Sequence, residues 1–400
     1  MELRPILSAM LRNKTGAALV GLQIALTLAI VANSMFIIMQ RVEKIGRPPG
    51  IDSANLFFVQ SNGFGPGYDH LSTIRADLDL IRSLPGVIAA SSINAVPLSG
   101  SGSSTTIGTK VDDTNIRANY YMLDEYGMDA LGVALAEGRN FLAQEVQYNP
   151  DASGSNWVPW VIVSRDLGRA LFGDELALGK SIYIGPDRTA VIVGVIDNML
   201  GSWVDWDKLT QVMLIPRIPS GSFVRYVVRV EPGRLNELMA EAERKLSDSN
   251  LHRAISWIRP HGFYKERSYR SDSRMVTLLL VMVILMIAIT ALGIVGLASF
   301  HVNVRRKQIG TRRAIGARRI DILRYFMLEN WLLTTGGVLV GTVLAFAFGH
   351  WLSSAYSLPR LQPVYVIAGA VVLWLLGQAA VIVPARRAAA IPPAVATRTV

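Results

Sequence analysis

Catalysis needs nucleophiles, acids and metal ligands at matched spacings, and this chain offers almost none. Its five histidines, His70, His252, His261, His301 and His350, are scattered over 400 residues with no paired helical spacing for a metal. Cysteine is absent, which removes disulfides, thiolate nucleophiles and sulfur-ligated metals together. Ser and Gly abound near Ser99, yet no Gly-x-Ser-x-Gly elbow occurs. The Gly63/Gly65/Gly67 cluster fits neither a dinucleotide nor a phosphate fingerprint, and no Gly-Lys-Ser/Thr loop exists. The chain is therefore expected to bind no cofactor and to hydrolyse no ATP itself. Asp77, Asp79, Asp124 and Glu125 read as solvated surface charges.

Ionic recognition is the chemistry that the residues do support. Arg305-Arg306-Lys307-Gln308-Ile309-Gly310-Thr311-Arg312-Arg313-Ala314-Ile315-Gly316-Ala317-Arg318-Arg319 opens a stretch, 305–329, with eight basic and two acidic residues. The whole chain carries a net charge of +10, whereas residues 41–274 hold 25 basic and 27 acidic side chains. The excess thus sits beside hydrophobic runs, and membrane topology explains it better than nucleic acid does. By charge alone the stretch suits anionic lipid, which needs no protein partner.

Four apolar runs must position that stretch. Gly16–Met39 is 24 residues without a charge, about 36 Å as a helix against a hydrocarbon core of about 30 Å. Met275–Phe300 is charge-free over 26 residues; Trp331–Leu352 and Val364–Val383 complete the set. Phe36-Ile37-Ile38-Met39-Gln40-Arg41 replaces a small-residue cleavage site, so the first run reads as an uncleaved span. Arg4, Arg12 and Lys14 precede span one, the basic stretch joins spans two and three, and Arg386 and Arg387 follow span four. All three flanks share the cytoplasm only if 41–274 lies outside. The expected order is a cytoplasmic N-terminal segment 1–15, spans at 16–40, 275–304, 329–352 and 364–383, an exterior domain 41–274, a cytoplasmic loop 305–328, a short exterior loop 353–363 and a cytoplasmic tail 384–400.

Small residues recur every four positions on two spans: Ala17, Gly21, Ala25, Ala29 and Asn33 on the first, Gly337, Gly341, Ala345 and Gly349 on the third. Such rows let helix backbones approach closely, either within one bundle or at a subunit interface. Trp331 and Trp351 bracket span three as interfacial anchors. Outside the membrane, Leu56–Val59, Trp160–Val163, Ala190–Val195 and Val224–Val230 read as strands, and Leu71–Leu84 and Leu235–Leu246 as amphipathic helices, giving an α+β domain. Trp157, Trp160, Trp203 and Trp206 fall in one exterior stretch, as core residues or as a partner-docking surface.

The basic stretch is more specific than its charge. It resembles the loop of the MacB/FtsX-like permeases, the membrane subunits of type VII ABC transporters, at Arg306, Ile309, Gly310, Arg312, Arg313, Ala314, Gly316, Ala317, Asp321 and Ile322. Gln308 stands where the family usually has Glu. Leu84-Pro85-Gly86-Val87, Tyr126-Gly127-Met128, Leu135 through Phe141, Val163-Ser164-Arg165 through Gly173, Leu178-Gly179-Lys180, Val193-Gly194-Val195 and Pro384-Ala385-Arg386-Arg387 are similar to the family in its order.

The resemblance implies four transmembrane helices and a large extracytoplasmic domain between helices 1 and 2, porter-like at 51–122 and 216–270 with an inserted subdomain at 123–215. It implies a non-catalytic inner-membrane permease whose cytoplasmic loop docks, through Arg306, Gln308, Ile309, Gly310, Arg312, Arg313, Ala314, Gly316, Ala317, Arg318 and Arg319, on an ABC ATPase that carries the ATP and Mg. With 15 residues before span one, that ATPase is expected to be a separate chain. A second permease copy or paralogue, a periplasmic adaptor with an outer-membrane channel, and membrane lipid are the further partners implied. The expected output is mechanotransmission driving efflux from the periplasm; signalling to wall hydrolases or a sensor kinase, and lipoprotein extraction, are the alternatives.

Overall fold

The computed structural model describes residues 14–65, 68–148, 159–184, 188–221, 223–356 and 359–392. The chain divides into two compact units, one of residues 1–46 with 272–400 and one of residues 47–271. Arg4, Arg12 and Trp157 lie outside the described residues.

In chain order the elements are α1 (Lys14–Ile45), β1 (Leu56–Gly63), α2 (His70–Arg82), β2 (Val87–Ser92), β3 (Ser104–Gly108), β4 (Ile116–Leu123), α3 (Gly127–Leu131), β5 (Leu135–Gly138), β6 (Gln147–Tyr148), β7 (Trp160–Ser164) and α4 (Arg165–Phe172). They continue with β8 (Ser181–Ile184), β9 (Thr189–Ile196), β10 (Val212–Ile218), β11 (Phe223–Val230), α5 (Leu235–Ser249), β12 (Arg253–Pro260), α6 (His261–Val304), α7 (Arg306–Ala314), α8 (Arg319–Tyr356) and α9 (Pro363–Ala389).

In residues 47–271 the first sheet runs β12-β1-β11-β2, all antiparallel. Alternation decides its two faces. Phe57 and Val59 of β1 join Val224, Tyr226 and Val228 of β11 against Ile74, Leu78 and Leu238 of α2 and α5. Leu56, Phe58 and Val227 face the opposite way, into a cluster with Tyr121, Leu123, Ile162 and Leu214 from the second sheet. Asp69 caps α2 by accepting from Ser72 N–H at 2.7 Å. After it, Gly86 turns the chain at φ +96°, where any Cβ would strike the Arg234 guanidinium.

The second sheet has the order β4-β3-β8-β9-β7-β10-β6, and β4 also pairs with β10. Six of its strands therefore close a circuit without free edges. This differs from the expected division at 122/123, because β3 and β4 belong to the second sheet. Tyr120 of β4 lies opposite Met213 of β10, a pairing across distant sequence that no local pattern announces.

Asp77 and Asp124 also depart from expectation, since both are buried, at 3% and 5% exposure. Asp77 accepts from Tyr226 Oη at 2.7 Å and pairs with Arg253, while Asp124 pairs with Arg82 at 2.8 Å. Burial raises both carboxyls above their ordinary value, opposed by those partners.

Four helices of the described residues, α1, α6, α8 and α9, are long and apolar enough to cross a membrane. α6 has 44 residues, about 66 Å at 1.5 Å per residue, so it overruns the expected span at 275–304. The apolar run marks where lipid tolerates the helix; the charged first turns continue it because their backbone bonds need no apolar surface.

Candidate functional site

The basic stretch folds as a helix, a break and a second helix. α7 ends where Gly316 takes φ +102°, with its N–H on Arg313 C=O at 3.2 Å and Ala317 N–H on Arg312 C=O at 3.0 Å. These bonds satisfy two carbonyls that a helix end leaves orphaned. Asp321 then starts α8 by accepting from Arg318 N–H at 2.9 Å.

The fold sorts the expected docking residues into two sets. Arg306, Gln308, Arg312, Ala314, Gly316, Arg318 and Arg319 are exposed. Ile309 and Gly310 are buried, and Ile309 packs in one cluster with Ile322, Phe326, Ala385 and Ala388. Ile309 thus packs the loop against α8 and α9, and neither residue lies on its outer face. Arg313 is half-buried and donates from Nη1 to Ala317 C=O at 3.3 Å across the break, and Ala317 is half-buried beside it. Sequence reasoning passed over Ile315, a large aliphatic side chain 83% exposed at the turn between the helices. Its local signal was an apolar residue flanked by cations just before a glycine.

Behind the loop lies a polar node that sequence reasoning also missed. Glu329 of α8 is buried at 5% exposure. Its Oε2 accepts from Arg305 Nη1 at 3.1 Å, and its Oε1 lies 3.3 Å from His301 Nδ1. Arg305 Nη1 also donates to the Tyr325 hydroxyl at 3.2 Å, and the Arg312 guanidinium sits 5.2 Å from the Tyr325 ring centre. A carboxylate at the start of an apolar run reads as a lone charge until its partners are seen.

The small-residue rows meet within the chain. A Cβ on Gly337 would lie 2.8 Å from Ile24 Cβ, and one on Gly341 2.8 Å from Ala25 C=O. The Cβ on Gly337 would also lie 2.9 Å from the Gly21 carbonyl oxygen, and Ala17 is partly buried against the apolar cluster of these helices. Asn33 donates to Ala29 C=O at 2.9 Å and to Ala345 C=O at 3.0 Å. Of the two readings of these rows, packing between α1 and α8 is what the structure contains, and it occupies the Ala25, Asn33, Gly337 and Gly341 faces. The tryptophans divide differently. Trp160 packs at the edge of an apolar cluster, whereas half-buried Trp203 and Trp206 stack edge to face at 5.6 Å with Arg117 5.7 Å from the Trp206 ring.

The family model described as MacB-like periplasmic core domain matches residues 18–246, and that described as FtsX-like permease C-terminal matches residues 280–393. The macrolide export ATP-binding/permease protein MacB of Chromobacterium violaceum is 26% identical over 277 residues, 66% of this chain and 40% of that protein. Its namesake from Acinetobacter baylyi is 22% identical over 397 residues, covering 94% and 55%. The chain thus spans about half or less of the length of these curated relatives. Among solved structures, the periplasmic region of MacB from Actinobacillus actinomycetemcomitans is 18% identical at a TM-score of 0.35, covering 56% of this chain and 97% of that one. The extracellular domain of the transporter YknZ from Gram-positive bacteria is 16% identical at a TM-score of 0.31, covering 50% and 100%.

Proposed function

This chain belongs to the MacB/FtsX-like permeases of type VII ABC transporters, and on that premise we propose that it couples ATP hydrolysis on a cytoplasmic ABC ATPase to movement of its exterior domain. The output is export of substrate from the periplasm, with an adaptor and outer-membrane channel as downstream partners. Residues 305–328 and both termini then face the cytoplasm of the inner membrane, which places the basic flanks on the inside.

One observation carries the reading. The loop presents Ile315 at the turn between its helices, 83% exposed, with Arg312, Arg318 and Arg319 exposed in the same short segment. A bare aliphatic knob among cations suits a partner cleft that is apolar at its centre and acidic at its rim. The buried Ile309 and the Glu329 node give the loop the backing it needs to pass on a push.

Mild-detergent purification from native membranes, followed by mass spectrometry, tests this. The wild-type chain should bring down an ABC ATPase, and Ile315→Asp should lose it while reaching the membrane at the same level. Recovery of the complex with no ATPase from wild type would end the reading.

A further inference from the structure

The four apolar helices are not equally packed. Across the most apolar window of α6 only 17% of residues are buried, against 61% for α1, 39% for α8 and 33% for α9. Its first turns pack Phe263 and Tyr264 into the core of residues 47–271, whereas along the apolar run its contacts gather in the last turns, at Ile294, Leu297, Ala298 and Val302. Elsewhere Leu278, Ile284 and Leu292 are open, at 67%, 64% and 71%. Lipid solvates such side chains as well as another helix does, so they prefer no one position of α6 over another.

Polar contacts do prefer one. Near one end of the apolar run, Asp272 is held by Arg41 at 2.6 Å and Lys44 at 2.8 Å, both from the last turns of α1. Midway, the Thr27 and Thr290 hydroxyls are 2.8 Å apart and buried. At the other end Glu329 takes His301, in the last turn of α6, and Arg305, the residue that opens α7. A buried carboxylate that loses its cation leaves an uncompensated charge, so these pairs are held strongly in a low-dielectric surround.

We propose that Asp272 and Glu329 are positioning residues that pin α6 to the bundle by ionic contacts, and that Glu329, by gripping both His301 and Arg305, makes α6 and the loop helix α7 move as one piece. The second half of this inference rests on the coupling function proposed above. The first half does not, since it concerns only how α6 is attached. A push on Ile315 would reach α6 through one carboxylate with two partners, not through the sparse apolar seam.

The chain contains no cysteine, so the pair Thr27→Cys and Thr290→Cys gives a clean report of the distance between α1 and α6. The full chain is placed in vesicles of phosphatidylethanolamine and phosphatidylglycerol, and the rate of oxidative crosslinking is followed. Asp272→Asn with Glu329→Gln should slow crosslinking about tenfold, the order expected for losing charge-assisted hydrogen bonds. An unchanged rate at equal membrane level overturns the pins. So does full recovery with Glu329→Leu, which fills the space without the charge.

In the complex with its ATPase, Glu329→Gln should keep wild-type ATPase stoichiometry and lose the change in crosslinking that ATP brings. Arg305→Ala should then add nothing further, because the pair acts as a unit. Independent, multiplying effects of the two substitutions overturn the grip of Glu329 on the loop. Should the wild type recruit no ATPase, the coupling function fails, while the crosslinking rates still decide the pins.

Discussion

Asp77 shows how little a single residue discloses of its surroundings. In the sequence it is an acid on an amphipathic helix; in the fold it meets Arg253, 176 residues away, inside the layer between sheet and helices. Burial leads the causes that raise its carboxyl above the ordinary aspartate value, with Tyr226 and Arg253 pulling the other way. A carboxyl raised in this way holds its proton more readily folded than unfolded. Its contribution to stability is therefore whole below the unfolded value and is lost as pH rises through the folded one. Asp77→Asn removes that titration and leaves Arg253 facing an amide, a cost of about 1–3 kcal/mol. The cost should shrink as pH rises from about 4, the unfolded value, through the raised folded one. Denaturant midpoints of both chains in detergent, read by tryptophan fluorescence, check this; a cost that grows with pH contradicts the direction.

Elements are where spacing becomes geometry. The four-residue rows on α1 and α8 were legible because a helix repeats every 3.6 residues, so small residues four apart share a face. Which partner they meet was not legible, and the α1–α8 seam supplies it. Gly341→Val would drive a side chain into the Ala25 backbone, which cannot give, and should cost about 1–3 kcal/mol. Gly336→Ala meets nothing within 4 Å and should be neutral or slightly stabilising. Thermal aggregation midpoints in detergent separate the two. The loop obeys a different constraint, because Gly316 sits at φ +102°. Gly316→Val should strain the break by about 1–3 kcal/mol and weaken ATPase recovery without lowering the amount of protein in the membrane. Equal recovery would show that the break tolerates other conformations.

Across the whole molecule, the exterior unit has a core that its two sheets share. Leu56, Phe58 and Val227 from the first pack in one cluster with Tyr121, Ile162 and Leu214 from the second. Residues 47–271 expressed alone should therefore unfold in one cooperative step, with amides of β9 and β11 exchanging at a common free energy. Two separated transitions would mean that the shared cluster does not unite the sheets.

The spans, the basic stretch between them, the strands Leu56–Val59 and Val224–Val230 and the family likeness were all present in the sequence. Each rests on a local signal: a run of apolar residues, a period of two or four, or charges crowded into one short segment. Only the tertiary structure assigned β3 and β4 to the second sheet, set Ile309 inward and Ile315 outward, and joined His301, Arg305 and Glu329 at one node. Burial and pairing are properties of neighbours in space. Where those neighbours stand tens or hundreds of residues apart, as Asp77 and Arg253 do, no local pattern carries their partnership.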